Sequence, residues 1–344
     1  MKDLPAPDRR PSMADVAREA GVSGQTVSRV ANGRTNVDQA TRRRVLDAMR
    51  QVGYRPNSAA RALRYGQFRT LGVIMSSLET FGNSRTLDAV TSAAVAQGYG
   101  ITLMPVGHPT QGEVTGAFSR LDEQAVDGVV ILIEELQLDQ SEIELPAGQP
   151  VVVIDSAPRA GYPVVDTDQA QGAELATTHL LELGHQTVWH IAGPPHSYAA
   201  ERREASWRAT LERHGRAVPP VLTGDWTSGS GYTCGLQLAR EPGLTAVFAA
   251  NDQMALGLLR ALHESGRAVP GEVSVVGFDD MAESADFWPP LTTIRQSFAA
   301  VGRRAVEALV SEIESGEQQT STVTVGTEFV PRASTAAPRL VQFR

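Results

Sequence analysis

The stretch Ser12-Met-Ala-Asp-Val-Ala-Arg-Glu-Ala-Gly-Val-Ser-Gly-Gln-Thr-Val-Ser-Arg-Val-Ala31 decides how the first part of this chain folds. Ser12 can cap a helix with Asp15 three residues on, and Met13, Val16, Ala17 and Ala20 fall on one face of it. Gly21 ends that helix and Val22 turns inward. Ser23 caps a second helix from Gly24 to Ala31, with Val27, Val30 and Ala31 on its buried side. Two helices joined by so short a turn must cross steeply, which is the helix-turn-helix arrangement. Such a second helix enters the major groove with its early residues at base edges. Gln25 and Arg29 face away from Val27 and Val30 and carry fitting chemistry, since Gln pairs in bidentate fashion with adenine and Arg with guanine. A third helix, about Gln39 to Gln51 behind Asp38, offers Val45, Leu46 and Met49 to close a small core. Its Arg42, Arg43 and Arg44 suit phosphate or solvent better than bases.

Charge divides the chain at the same place. Residues 1–66 hold 13 Lys/Arg and 6 Asp/Glu, a net +7, which leaves 18 basic and 33 acidic residues, a net −15, for the other 278. A basic first fifth can lie along phosphates while the acidic remainder keeps the molecule off other polyanions. A merely solvated basic surface is the alternative that charge leaves open. The N-terminus is polar and Pro-rich, and no run of 18 apolar residues occurs, so neither export nor membrane insertion is expected and a cytoplasmic location is. The single cysteine, Cys234, forms no intramolecular disulfide and reads as a small buried hydrophobe.

From Thr70 on, short apolar runs alternate with helical segments: 71–75, 100–104, 128–133, 151–154, 187–191, 246–249 and 273–276. That alternation predicts parallel, doubly wound sheets, which bind ligands at the carboxyl ends of their strands. Those ends carry Ser76 and Ser77, Asp155, Asn251 and Asp252, and Asp279 and Asp280. A polyhydroxyl ligand needs carboxylate and amide groups for neighbouring hydroxyls and an aromatic plate for its apolar face, and Trp226 can be that plate. Polar residues after strands cap helices at least as often as they bind ligands, so the pattern alone does not choose.

The segments Asp15-Val-Ala-Arg-Glu-Ala-Gly-Val-Ser23, Thr26-Val-Ser-Arg-Val30, Asn32-Gly33 and Gly53-Tyr-Arg-Pro-Asn57 resemble, in order and spacing, the headpiece signature of the LacI/GalR family of transcriptional repressors. Asn251-Asp-Gln-Met-Ala-Leu-Gly257, Val275-Val-Gly-Phe-Asp-Asp280 and Pro289-Pro-Leu-Thr-Thr-Ile-Arg-Gln296 extend the resemblance from about Met13 to Ala333. It implies an all-α helix-turn-helix headpiece (1–56), a hinge helix and linker (57–67), and an α/β two-lobed periplasmic-binding-protein-like domain with parallel sheets (68–334). A tail follows (335–344). The lobes would comprise 68–160 with 292–320 and 161–291 with 321–334, the chain crossing between them three times. DNA contacts would fall on Gly24, Gln25, Thr26, Ser28, Arg29, Asn32 and Asn57. Leu63 would be a minor-groove wedge, with Arg61 and Arg64 holding the backbone. Gly24 departs from the bulkier residues usual there.

By the same resemblance, sugar contacts fall on Ser76, Asp155, Arg203, Trp226, Asn251, Asp279, Gln296 and Phe298. Arg203, Asn251 and Asp279 would recognise hydroxyls, Trp226 would stack, and Asp155 would meet a peripheral hydroxyl. Thr80, Gly82, Asn83, Thr86 and Leu132 depart from the expected pocket wall, so a galactoside is only suggested. A sugar inducer, a pseudo-palindromic operator and a homodimer are expected, with no tetramerisation helix because no leucine heptads follow Pro338. No cofactor and no metal is expected. An exported sugar-binding protein would share the lobes but lack the headpiece. For an enzyme, Gly229-Ser-Gly-Tyr-Thr-Cys-Gly235 only partly mimics a dinucleotide loop, and neither a Gly-x-Ser-x-Gly elbow nor a His-Glu-x-x-His pair occurs.

Overall fold

The structure is a computed structural model that describes residues 11–31, 36–54, 67–107, 110–133, 148–156 and 162–339. The chain forms two compact units, Met1–Phe68 and Arg69–Arg344.

Among the described residues the first unit holds three helices: α1 (Met13–Ala20), α2 (Gly24–Ala31) and α3 (Gln39–Val52). The Ser12 and Asp15 side chains close a reciprocal capping box at the start of α1, and Gly21 ends it with a left-handed φ of 63°. The Ser23 hydroxyl accepts from the Thr26 amide at 3.2 Å and starts α2. Asp38 does the same for α3 through the Thr41 amide at 2.9 Å. Val16, Ala20, Val27, Val30, Val45, Ala48 and Met49 form the core. Two expected core residues lie outside it: Met13 is 39% and Leu46 42% exposed. The buried stripe of α3 runs Val45, Ala48, Met49 and Val52, so Leu46 is rotated off it by about 100°. Met13 stands in the first turn of α1, ahead of the stripe that begins at Val16.

The second unit contains two parallel sheets. The first has strand order β11-β5-β4-β3-β1-β2, built from β1 (Thr70–Met75), β2 (Gly100–Pro105), β3 (Gly128–Leu132), β4 (Val151–Ile154), β5 (Val164–Thr167) and β11 (Thr322–Val325). Side chains alternate across it: Leu71, Val73 and Met75 pack on one face with Val90 of α4 (Phe81–Ala96) and Val301, Ala305 and Leu309 of α10 (Phe298–Ser315). Ile74, Val129 and Ile131 meet Val114, Phe118 and Leu121 of α5 (Gln111–Glu123) on the other.

The second sheet has order β7-β6-β8-β9, from β6 (Trp189–Ala192), β7 (Leu222–Thr223), β8 (Ala246–Ala249) and β9 (Ser274–Val276). One face carries Leu180 of α6 (Gln169–Glu182) and Trp207 of α7 (Tyr198–Arg213). The other carries Cys234 of α8 (Ser228–Leu238) and Leu258 of α9 (Asp252–Glu264). Two of the glycines that partly mimicked a dinucleotide loop serve helix packing, because a Cβ on Gly231 would overlap the Met254 backbone and one on Gly235 the Ala261 side chain.

The chain leaves the first sheet after β5 and returns through β10 (Thr293–Arg295) to α10. It crosses again after β11 to β12 (Glu328–Val330), which pairs antiparallel with β10. Because β5 and β11 pair with each other and β5 with β4, the first lobe extends beyond residues 161 and 321, where the expected crossings stood. These short strands were hidden by their half-polar sequences. The expected tail also begins inside the fold, since the Ala336 carbonyl accepts from the Ser274 hydroxyl at 3.0 Å and lies 3.0 Å from the His185 ring. Nearly all of the expected hinge segment lies outside the described residues.

Candidate functional site

On the headpiece, Gln25 and Arg29 are exposed on the side of α2 opposite buried Val27 and Val30. Thr26 is shared with the cap, its hydroxyl 3.0 Å from that of Ser23. Gly24 is open, with nothing within 4 Å of the position a Cβ would take. Asn32, Asn57 and Leu63 lie outside the described residues. The exposed face therefore offers one amide and one guanidinium beside a basic third helix, which fits a groove lined by base edges.

In the second unit, the carboxyl ends of the strands converge on a cavity lined by Phe81, Asp155, Arg203, Trp226, Asn251, Asp279, Gln296 and Phe298, with Thr80, Gly82 and Ala199. Seven of the eight expected ligand residues meet there. Ser76, at the end of β1, is half-buried and does not line the cavity. Asp155 follows β4 with φ 54°, Trp226 has φ 72° and Asp279, after β9, has φ 112°. Left-handed backbone at a residue with a side chain costs about 1–3 kcal/mol, and such strain gathers where a side chain must be aimed.

Arg203, on α7, is the hub. Its Nε donates to the Gln169 Oε1 at 2.8 Å, its guanidinium donates to the Ala250 carbonyl, and it lies 3.9 Å from the Asp279 carboxylate. The guanidinium also rests 3.7 Å above the Phe278 ring and 5.5 Å from that of Trp226. Gln296 donates to Asp279 at 2.6 Å. Burial pushes the Asp279 carboxyl up to about 6, against the pull of Arg203 and the Gln296 bond. Trp226 packs against Gly193, where a Cβ would overlap its ring. Phe81 and Phe298 meet edge to face at 5.8 Å, closing the apolar side.

The free capacity of these groups differs from the sequence expectation. Asn251 caps α9 by accepting from the Met254 amide at 2.8 Å, and its Nδ2 donates to the Trp226 carbonyl at 3.0 Å. One side chain thus fixes both the helix start and the aromatic plate. Asp252 is structural: it accepts from the Met281 amide and from the Ser284 and Thr293 hydroxyls. Its carboxyl is pushed up to about 7, first by burial and then by Asp279. Asp280 is bound by Arg295 and Arg332. Gln169, which the sequence reading did not name, is buried and joins Arg203; its position one residue after a helix cap carries no local signal. Among the described residues no cluster of three or more His, Cys, Asp or Glu could hold a metal ion, and no helix is long and apolar enough to cross a membrane.

A helix-turn-helix headpiece followed by a two-lobed domain with a polar, aromatic-lined cleft defines a DNA-binding protein with a ligand-binding domain. Residues 12–57 match the bacterial regulatory proteins of the lacI family, and residues 177–335 a periplasmic binding protein-like domain. The chain is similar to the lactose operon repressor of Escherichia coli K12, with 34% identity over 95% of this chain and 91% of that protein. It is also similar to the HTH-type transcriptional repressor PurR of Haemophilus influenzae PittEE, with 33% identity over 94% and 98%. A crystal structure of the lac repressor dimer bound to operator and the anti-inducer ONPF superposes with a TM-score of 0.83 at 34% identity, covering 96% of this chain and all of that one. The chain belongs to the lacI family: it is a DNA-binding transcriptional repressor with a ligand-binding domain.

Proposed function

We propose that a small saccharide, a galactoside among the candidates, binds in the cleft as an inducer and lowers the affinity of a homodimer for a pseudo-palindromic operator. The observation that carries this reading is the meeting of Asp155, Arg203, Asp279 and Gln296 with Trp226 and Phe298 around one cavity. Carboxylates and a guanidinium hold neighbouring hydroxyls, and the aromatic rings cover the apolar face of a sugar. The space left for a ligand is small, about 30 Å³, so a sugar is accommodated as the lining groups or the lobes move. A ligand that prefers the opened arrangement shifts the population toward it, and a coupling of about 1–3 kcal/mol gives roughly 5- to 150-fold control of operator binding.

On the DNA side, Gln25 and Arg29 read base edges, with Gly24, Thr26, Ser28, Asn32 and Asn57 beside them and Leu63 as the minor-groove wedge. The dimer reading is supported by exposed apolar side chains on the regulatory domain, Trp288 at 93% and Leu256 at 43%, and by the dimeric state of the similar lac repressor structure. A cytoplasmic site of action follows from the role.

Operator binding tests the whole reading. Fluorescence anisotropy with the palindrome nearest this protein's promoter, at fixed salt, is measured with and without galactosides, glucosides and purines. One sugar weakening binding tenfold or more supports induction. A ligand that tightens binding reverses the sign, and equal affinity for every palindrome and random DNA defeats the headpiece assignment.

A further inference from the structure

One buried carboxylate ties together segments on which the cleft and the exposed apolar surface both depend. Asp252 opens α9 one residue after Asn251, which lines the cleft, and is itself fully buried. Its amide donates to the Phe278 carbonyl at 2.8 Å, and its Oδ2 accepts from the Met281 amide at 2.9 Å. One residue thus holds the chain on both sides of Asp279 and Asp280, whose φ values of 112° and 55° make a double left-handed bend. Such a bend persists only where its surroundings over-determine it. The Oδ1 of Asp252 accepts from the Thr293 hydroxyl at 2.5 Å, at the start of β10. That strand leads directly to Gln296, which donates to the Asp279 carboxylate. Gly277 lets the Asp252 carboxylate lie this close, because a Cβ there would overlap its Oδ1.

Another arm runs to the surface. Oδ2 also accepts from the Ser284 hydroxyl at 2.6 Å, in the 3-10 turn Ala282–Asp286. The Ser284 carbonyl accepts from the Leu291 amide at 2.8 Å and closes the loop between them. Phe287 and Leu291 of that loop belong to the core that holds Ala255 and Leu259 of α9, while Trp288 beside them is 93% exposed. Leu256, also exposed, sits on α9 one turn past Asp252. The two exposed apolar residues therefore belong to segments that Asp252 joins at their base. An ionised carboxylate only accepts, with room for about four hydrogen bonds, so it serves all three donors at once, whereas a side-chain amide of that size has one accepting atom.

We propose that Asp252 is a positioning residue for two surfaces that it does not itself form: through the Phe278, Met281 and Thr293 bonds it aims Asp279 and Gln296 at the effector, and through Ser284 it holds the loop bearing Trp288 against the helix bearing Leu256 for a second copy of this chain. The proposal rests on the reading of the cleft as the effector site and of the exposed apolar residues as the dimer face. It adds that the two share one anchor with separable arms, so that each function is lost by cutting its own arm at a residue remote from ligand and partner.

The test uses the full chain at pH 8, above the value of about 7 to which burial raises the Asp252 carboxyl. Asp252→Ala should lose both functions, but it strands three donors and can unfold the lobe, so the decision rests on two variants that each cut one arm. Ser284→Ala should weaken the dimer about tenfold in sedimentation over a dilution series, the loss expected from one hydrogen bond to a charged group, and leave saccharide binding within about twofold of wild type. Thr293→Val should do the reverse: calorimetric binding of lactose, melibiose or cellobiose, whichever the wild type takes, weakens about tenfold and the dimer stays within about twofold. Urea unfolding of both variants records the stability loss against which these changes are compared. Both variants losing both functions in step with stability, or neither losing either, overturns the proposal. If no saccharide binds the wild type, the effector reading fails, and if the wild type is a monomer, the dimer reading fails. In either case ligand-free hydrogen exchange decides whether the arms are separable. Ser284→Ala should speed exchange in 281–291 and Thr293→Val in 293–298, each leaving the other segment unchanged, and joint acceleration of both segments overturns the proposal.

Discussion

In the headpiece the polar groups offered to a partner stand in water, whereas in the cleft they are already bound to one another. Gln25 and Arg29 are exposed on α2 and take no part in the core formed by Val16, Val27, Val30 and Val45. Arg203, Asn251, Asp279 and Gln296 are all buried and each makes hydrogen bonds or an ion pair within the protein. The contrast follows from the size of the ligand. DNA is a large surface read by side chains that reach outward, and a small molecule must be enclosed by groups that would be costly to bury unpaired. Recognition and stability are therefore separable in the headpiece and joined in the cleft.

The largest expected effect breaks the cleft side of that contrast. Arg203→Ala strands Asp279 and Gln169 in the interior and should destabilise the regulatory domain by about 3–5 kcal/mol in urea unfolding. A loss below 1 kcal/mol would mean that water replaces the guanidinium and that the cleft is less closed than it stands.

A second test uses pH. His190 is stacked between Trp207 and Phe248, its Nδ1 is 2.8 Å from the Phe248 carbonyl, and burial pulls its ring down to about 4. The folded state thus refuses a proton that the unfolded chain accepts near pH 6.5. The associated stability is complete above that pH and is lost as pH falls toward 4, by on the order of 3 kcal/mol. Thermal unfolding of His190→Phe should show a flatter acid limb than the wild type, and parallel limbs would assign acid sensitivity elsewhere.

Two glycines sharpen the contrast at intermediate size. Gly193→Ala drives a methyl into the Trp226 ring and should cost about 1–3 kcal/mol, with a shift in tryptophan emission. Gly24→Ala meets nothing and should stay within about 0.5 kcal/mol of wild type. The smallest stability effect belongs to Arg29→Ala, again within about 0.5 kcal/mol, although it should remove about 1–3 kcal/mol of discrimination at one base pair. Uniform weakening on all DNA sequences would reassign Arg29 to phosphate.

Much of the architecture was legible. Capping residues, glycine stops and one-face spacing located α1, α2 and α3, and seven apolar runs located seven of the strands. The strands that escaped, β5, β7 and β10 to β12, are two to four residues long and mix polar with apolar positions. Met13 and Leu46 were misplaced because spacing alone does not fix where a buried stripe begins.

What the sequence by itself determined was local: the helix-turn-helix, the parallel strands, the charge division between the two parts, and the identity of the polar residues at the strand ends. Only the tertiary structure decided what those polar residues are free to do. Asn251 is shared between a helix cap and the Trp226 carbonyl, and Asp252 is held by Ser284 and Thr293. Helices and strands are encoded by neighbours within a few residues. The hydrogen bonds of a buried carboxyl or amide come from chain segments brought together by folding, and only that meeting settles which donors remain for a ligand.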